Sequence, residues 1–262
     1  MKLALYQIDA FTDTIFGGNP ACVVPLETWP ADEVLLKIAK ENAVAETAFF
    51  INKSDTIHLR WFTAEIEMDL CGHATLATAH VLKTFLDYQK DKIVFNTLSG
   101  DLTVSFDKEL YTLDLPSRKP EKAVLPEIIK ESLGKQPKEV LKARDYVLVY
   151  ENEQDVRNIK IDRQTLDNIN LDPGGVIVTA KGENCDFVSR FFTPQASIFE
   201  DPVTGSAHCS LIPYWSEQLG KKEMFALQLS ERIGKLFCIN DENRVFVSGN
   251  ARTYSVGTLW LD

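Results

Sequence analysis

Along most of this chain hydrophobic and polar residues alternate in short runs, and only three stretches show the wider spacing of helices. The alternation predicts strands at 3–9, 20–26, 47–51, 57–63, 92–97, 102–106 and 110–115. It resumes at 146–150, 175–180, 186–192, 224–230, 235–239, 243–248 and 253–261. The first helix is expected over 30–42, with Pro30 near its first turn and Leu35, Leu36, Ile38 and Ala39 on its apolar side. The second, over 72–86, carries Ala74, Leu76, Ala77, Ala79, Val81, Leu82 and Phe85 and is apolar nearly all round. Such a helix has to be enclosed by protein. The third spans 205–219. Phe16-Gly17-Gly18-Asn19-Pro20 reads as a turn, and the Lys-, Glu- and Pro-rich segment Pro116 to Gln136 as the crossing between two halves.

One segment occurs twice. Arg60-Trp61-Phe62-Thr63 is followed after seven residues by Cys71-Gly72-His73-Ala74, and Arg190-Phe191-Phe192-Thr193 after seven by Asp201-Pro202-Val203-Thr204-Gly205-Ser206. Without a gap, Cys71 falls on Asp201. Further on, Ser99-Gly100-Asp101-Leu102 resembles Ile233-Gly234-Lys235-Leu236 at an offset of 134 rather than 130. Two matches in the same order imply a duplication. The expected architecture is α+β: two pseudo-symmetric domains, 1–118 and 119–262, with end strands free to cross over. Each is a curved sheet around one central helix, and chemistry is expected in the cleft between them.

Composition narrows the function. The 262 residues carry a net charge of −10, which argues against nucleic acid or an anionic membrane as partner. No basic segment followed by an apolar one opens the chain, and no apolar run approaches a membrane span. The five cysteines are widely spaced and odd in number, so reduced thiols in the cytoplasm are expected. The four histidines form no HxH or HExxH arrangement, and no metal site is expected.

Three segments hold residues that a core does not need. Glu46 lies between an apolar helix end and Ala48-Phe49-Phe50; a carboxylate that loses hydration there is suited to carry a proton both ways. A solvated or capping glutamate is the plain alternative. Cys71-Gly72-His73 opens the apolar helix, where free N–H groups and the helix dipole favour a substrate carboxylate. There Gly72 lets the backbone come close, His73 is placed to donate a hydrogen bond or a proton, and Cys71 reads as a small buried residue. Further along that helix, His80 reads as a satisfied core histidine. Asp201, with Gly205 and Ser206, opens the third helix. It suits a substrate amine or hydroxyl, or an ordinary N-cap.

At these residues the chain resembles the PhzF-like phenazine-biosynthesis family of the diaminopimelate epimerase-like superfamily. The resemblance is carried by Ile8-Asp9-Ala10-Phe11-Thr12, Phe16-Gly17-Gly18-Asn19-Pro20-Ala21, Ala45-Glu46-Thr47-Ala48-Phe49, Arg60-Trp61-Phe62-Thr63, Cys71-Gly72-His73-Ala74-Thr75 and Glu200-Asp201-Pro202-Val203-Thr204-Gly205-Ser206-Ala207. It implies a cofactor-independent isomerase, commonly a homodimer, acting on a small carboxylate. It also implies that Glu46 shuttles a proton between substrate carbons and shifts a double bond. His73 and Asp201 then bind and polarise the substrate, while Asn19, Gly72, Gly205 and Ser206 line its site. Racemases of the superfamily use two cysteines, and here Asp201 stands at the second position. A racemase with a Cys71/Asp201 pair is the alternative, and a non-catalytic small-molecule binding protein the third reading.

Overall fold

A computed structural model of the chain describes residues 1–53, 56–171 and 174–261. It comprises two units, Met1–Asp114 with Ser248–Asp262, and Leu115–Val247. The first unit therefore ends a few residues before the expected 118, and the last strand of the chain returns to it.

The first unit begins with strands β1 (Lys2–Ala10) and β2 (Asn19–Pro25), helix α1 (Asp32–Asn42), and strands β3 (Glu46–Lys53), β4 (Thr56–Phe62) and β5 (Glu67–Met68). Helix α2 (Gly72–Phe85) and strands β6 (Lys92–Thr97), β7 (Gly100–Asp107) and β8 (Leu110–Pro116) follow. Pro30 precedes α1 rather than opening it: the N-cap is Ala31, and Asp32 and Glu33 place negative charge at the positive end of the dipole. Leu35, Ile38 and Ala39 of α1 pack with Val24, Phe49 and Phe62.

Of the fourteen residues of α2 ten are buried, as its nearly uniform apolarity requires. β2 pairs parallel with β3, β3 antiparallel with β4, β4 parallel with β6, and β6 and β7 antiparallel with their successors. His80 satisfies both ring nitrogens, on Tyr111 Oη of β8 and Thr253 Oγ1 near the chain's end, each at 2.9 Å. The histidine is satisfied as expected, though half-buried rather than in the core.

The second unit carries β9 (Glu121–Lys122), α3 (Glu127–Ser132), β10 (Glu139–Lys142), β11 (Tyr146–Val149), α4 (Glu153–Asn158), α5 (Arg163–Leu166), β12 (Val176–Lys181), β13 (Phe187–Phe192) and β14 (Glu200–Asp201). Then come α6 (His208–Leu219), β15 (Glu223–Gln228), β16 (Gly234–Asp241) and β17 (Arg244–Gly249); β18 (Ala251–Trp260) goes back to pair with β1. The helices α3, α4 and α5 were not anticipated, because one or two turns leave no periodicity to detect. α6 begins three residues later than expected, since Gly205, Ser206 and Ala207 form a turn. Three strands reach this helix: Trp215 Nε1 donates to Thr179 of β12 at 2.9 Å, Tyr214 to Glu139 of β10 at 2.8 Å, and Asn240 of β16 to Ser216 at 3.0 Å.

The duplication is visible in the ladders. β11 runs parallel to β12, β12 antiparallel to β13, β13 parallel to β15 and β15 antiparallel to β16, the same sequence of pairings as from β2 to β7. Even an ion pair is repeated. Arg60 forks onto Glu67 with both contacts at 2.6 Å, and Arg190 onto Glu200 with both at 2.7 Å. The spare nitrogen of Arg190 donates to the carbonyls of Val156 and Ile159 at the end of α4, at 3.3 and 3.2 Å. A lysine has no planar fork with which to do both. Arg190→Lys is expected to cost about 2 kcal/mol, read as a lower urea midpoint at unchanged slope.

Candidate active site

Two parallel neighbours begin side by side. In the β2–β3 ladder Ala21 stands opposite Glu46, so Asn19 and Glu46 share one end of the sheet. The turn before Asn19 depends on Gly18, whose φ is +60°; a Cβ there would lie 2.0 Å from the carbonyl oxygen of Ala10. Asn19 is thereby held fully buried. The start of α2 brings Cys71, Gly72 and His73 to the same place.

His73 is the centre. Its Nε2 lies 3.1 Å from Glu46 Oε2, with side-chain exposures of 4% and 15%. On the other side of the ring, Nδ1 lies 3.2 Å from Asn19 Nδ2 and 3.6 Å from Cys71 Sγ. Burial alone disfavours an imidazolium, but the contacts with Cys71 and Glu46 outweigh it and raise His73 above the ordinary histidine range. The Cys71 thiol is itself pushed up to about 11, by burial first and by the charge of Glu46 second. At neutral pH it is protonated, so Glu46 is the charge that holds His73. The result is a carboxylate–histidine pair at a helix start, with the ring buried. It places a carboxylate oxygen and a ring nitrogen within one contact of each other.

Glu46, Cys71 and His73 also present an oxygen, a sulfur and a nitrogen donor within 4.8 Å of one another. His73 uses its two nitrogens towards different partners, and the thiol keeps its proton. The Glu46 Oε2 and His73 Nε2 atoms are buried and in close contact, but neither has a hydrogen-bond partner among the described residues.

In the second unit the structure corrects one equivalence. β4 sets Phe62 opposite Glu67 and Trp61 opposite Met68; β13 sets Phe192 opposite Glu200 and Phe191 opposite Asp201. Asp201 thus corresponds to Met68, and the counterpart of Cys71 is Thr204. The gap-free pairing of Cys71 with Asp201 fails because the loop after Phe192 is three residues longer than the loop after Phe62. Local bonding agrees: Thr75 Oγ1 donates to the Cys71 carbonyl at 2.5 Å, and His208 Nδ1 meets the Thr204 carbonyl at 2.9 Å, each bond reaching back four residues.

Asp201 is half-buried and accepts from Thr204 Oγ1 at 2.5 Å. Gln228 of β15 clamps this loop: its Oε1 accepts from the Thr204 N–H at 2.8 Å, and its Nε2 donates to the Asp201 carbonyl at 2.8 Å. Sequence reasoning did not single out Gln228. The signal is a polar residue on the strand face that Met224 and Ala226 bury. Gly205 and Ser206 form the turn that follows. Of the expected site residues, the first unit therefore brings together Asn19, Glu46, Gly72 and His73, while Asp201, Gly205 and Ser206 lie on one loop of the second.

Comparison with known proteins places the chain in a family. Residues 8–257 match the sequence model of the phenazine biosynthesis-like protein family. An uncharacterized isomerase of Pseudomonas aeruginosa is 45% identical, with all of both chains covered. The crystal structure of a PhzF-family phenazine biosynthesis protein from Enterococcus faecalis superposes with a TM-score of 0.94 at 43% identity over the whole of both chains. The fold alone extends further, to a probable proline racemase from Agrobacterium radiobacter, with a TM-score of 0.66 at 8% identity over 99% of this chain and 93% of that one. With its repeated sheet-and-helix units, its Glu46–His73 pair and a match over nearly its whole length, this chain belongs to the phenazine biosynthesis-like protein family.

Proposed function

We propose that the protein is a cofactor-independent isomerase that moves a proton between two carbons of a small carboxylate and so shifts a double bond. Relatives named isomerases support the reaction class. The observation that carries the mechanism is the contact of 3.1 Å between Glu46 and the buried His73. Glu46 takes a proton from an acidic C–H bond, the electron pair enters the conjugated system, and Glu46 returns the proton to another carbon. Nothing is oxidised or reduced. His73 stabilises the charge that develops on the substrate, as a preorganised cation in a site shielded from water does most effectively. The first-turn N–H groups of α2 suit the substrate carboxylate. Family membership supports roles for Asp201, Gly205 and Ser206 in binding the substrate's polar groups.

A racemase needs an acid and a base on opposite faces of one carbon. The position corresponding to Cys71 holds the hydroxyl of Thr204, which is no such group near neutral pH. Cys71→Ala is accordingly expected to leave turnover largely intact. The direct test incubates the protein in D₂O with candidate cyclic and linear amino or hydroxy acids and follows carbon-bound deuterium by NMR. Exchange with migration of a double bond supports the reading. Exchange that inverts a stereocentre and vanishes in Cys71→Ala would replace it with the racemase, and binding without any exchange would favour a binding protein.

A further inference from the structure

The bonds that hold the Asp201 loop run in one direction only. Gln228 of β15 is 1% exposed. Its Oε1 faces the Thr204 N–H at 2.8 Å, and a backbone N–H can only donate. That contact fixes which end of the amide is which. The NH₂ group then meets two acceptors, the Asp201 carbonyl at 2.8 Å and Thr204 Oγ1 at 3.2 Å. Thr204 Oγ1 accepts from Gln228, so its own single proton goes to Asp201 Oδ2, 2.5 Å away. Each group sets the role of the next, and bonds in such a chain strengthen one another. At its end Asp201 Oδ2 is confined to accepting. A hydrogen bond donated to a carboxylate also favours its ionised form.

The duplication shows that the fold does not need this relay. Asp201 and Thr204 correspond to Met68 and Cys71. Gln228 stands opposite Gly234 in its ladder as Thr97 stands opposite Gly100, and these two glycines match in the sequence repeat. Gln228 therefore corresponds to Thr97, whose hydroxyl turns to the Gly100 carbonyl at 2.7 Å. With a thioether, a thiol and this differently bonded hydroxyl, the first unit forms the same order of strand pairings and the same following helix. A buried amide is costly unless its bonds are made, so its presence in one copy calls for a reason beyond folding.

We infer that Gln228 and Thr204 are positioning residues that hold Asp201 as a hydrogen-bond acceptor, selecting substrates that present an amine or hydroxyl to it over those that present a carbonyl. This rests on the proposed role of Asp201 in binding the substrate. It adds two residues that act through Asp201 and the class of group they select. A substrate carbonyl would set acceptor against acceptor, and a site built for a donor rejects an analogue without one.

The first test needs no substrate. The Thr204 hydroxyl proton, held between two oxygens, is expected as a downfield signal in proton NMR, identified by its loss in Thr204→Val. Thr204→Ser should keep a signal there. Gln228→Met, similar in size but apolar, should broaden or displace it, because nothing then directs the hydroxyl, while the far-UV spectrum stays unchanged. Where Gln228→Met does not fold, the two Thr204 variants decide. On any amino or hydroxy acid that the wild type turns over, Thr204→Val should raise KM about 10-fold and leave kcat within about 3-fold. Thr204→Ser should stay within about 3-fold of the wild type in both. Loss of Glu46 lowers kcat instead, so failure of the relay and failure of the proton shuttle are distinguishable. A hydroxyl signal unchanged in Gln228→Met overturns the inference. So does a wild-type KM in Thr204→Val, or a KM defect that Thr204→Ser shares.

Discussion

Glu46→Gln is expected to lower kcat by roughly 10²- to 10⁴-fold on any substrate that the wild type turns over, with a much smaller change in KM. Glutamine keeps the size of the side chain and one oxygen but cannot accept and return a proton. Its effect on the neighbouring residue is equally specific. The carboxylate lies 3.1 Å from His73 Nε2 and raises the affinity of the ring for a second proton. Once the charge is gone, burial dominates, and the His73 pKa should fall sharply. NMR of the ring protons in wild type and variant measures this without a substrate. A variant that retains full turnover sinks the proton-shuttle mechanism; one that loses turnover while His73 titrates as before shows that the pair is not coupled as the geometry implies.

The second large effect concerns stability in mild acid. His208 is fully buried between Phe187 and the Thr204 carbonyl, and burial depresses its pKa from 6.5 to about 4. Its folded pKa is lower than its unfolded one, so between those values the unfolded chain binds more protons. Its contribution is present above pH 6.5 and is lost as pH falls towards 4, a change of about 3 kcal/mol. His80 is shifted in the same direction to about 4, by burial first and by the charge of Arg252 second. Asp145 works against them, because burial raises its pKa and favours its protonated form. The contribution of His73, with its raised pKa, disappears only on the alkaline side, as pH rises through the folded value. Urea unfolding at a series of pH values should therefore show a steep loss of stability between pH 6.5 and 4. His208→Gln should flatten that slope whatever its effect at pH 7. An unchanged slope would show that His208 is not held neutral.

The parts of the fold that follow from periodicity were legible in the chain itself. Strands as short as six residues, such as β6, carry the period-two pattern, and α2 betrays its central place because no face of it tolerates water. The duplication was legible too, since Arg60-Trp61-Phe62-Thr63 and Arg190-Phe191-Phe192-Thr193 keep both their spacing and their ion-pairing arginine. Short elements such as α5 and β14 were not, because they are stabilised by what they pack against rather than by their own pattern.

At the candidate site, Glu46 and His73 stood out as polar residues in apolar surroundings, and nothing in their 27-position separation along the chain says that they touch. Parallel pairing of β2 with β3 and the entry into α2 bring them into contact. The correspondence of Cys71 with Thr204 rather than Asp201 was likewise hidden. A gap-free match absorbs a loop insertion unnoticed, whereas hydrogen-bond register cannot slip by three residues without turning strand faces over. Gln228 is the plainest case. One polar side chain in a strand reads as an irregularity until the Thr204 N–H and the Asp201 carbonyl appear beside it. Sequence determined which residues are apolar, where chain direction can change and which groups can carry a proton, since these are properties of a residue and its near neighbours. Tertiary structure decided which of those groups meet, because contacts between distant residues depend on strand pairing and loop length that no local pattern encodes.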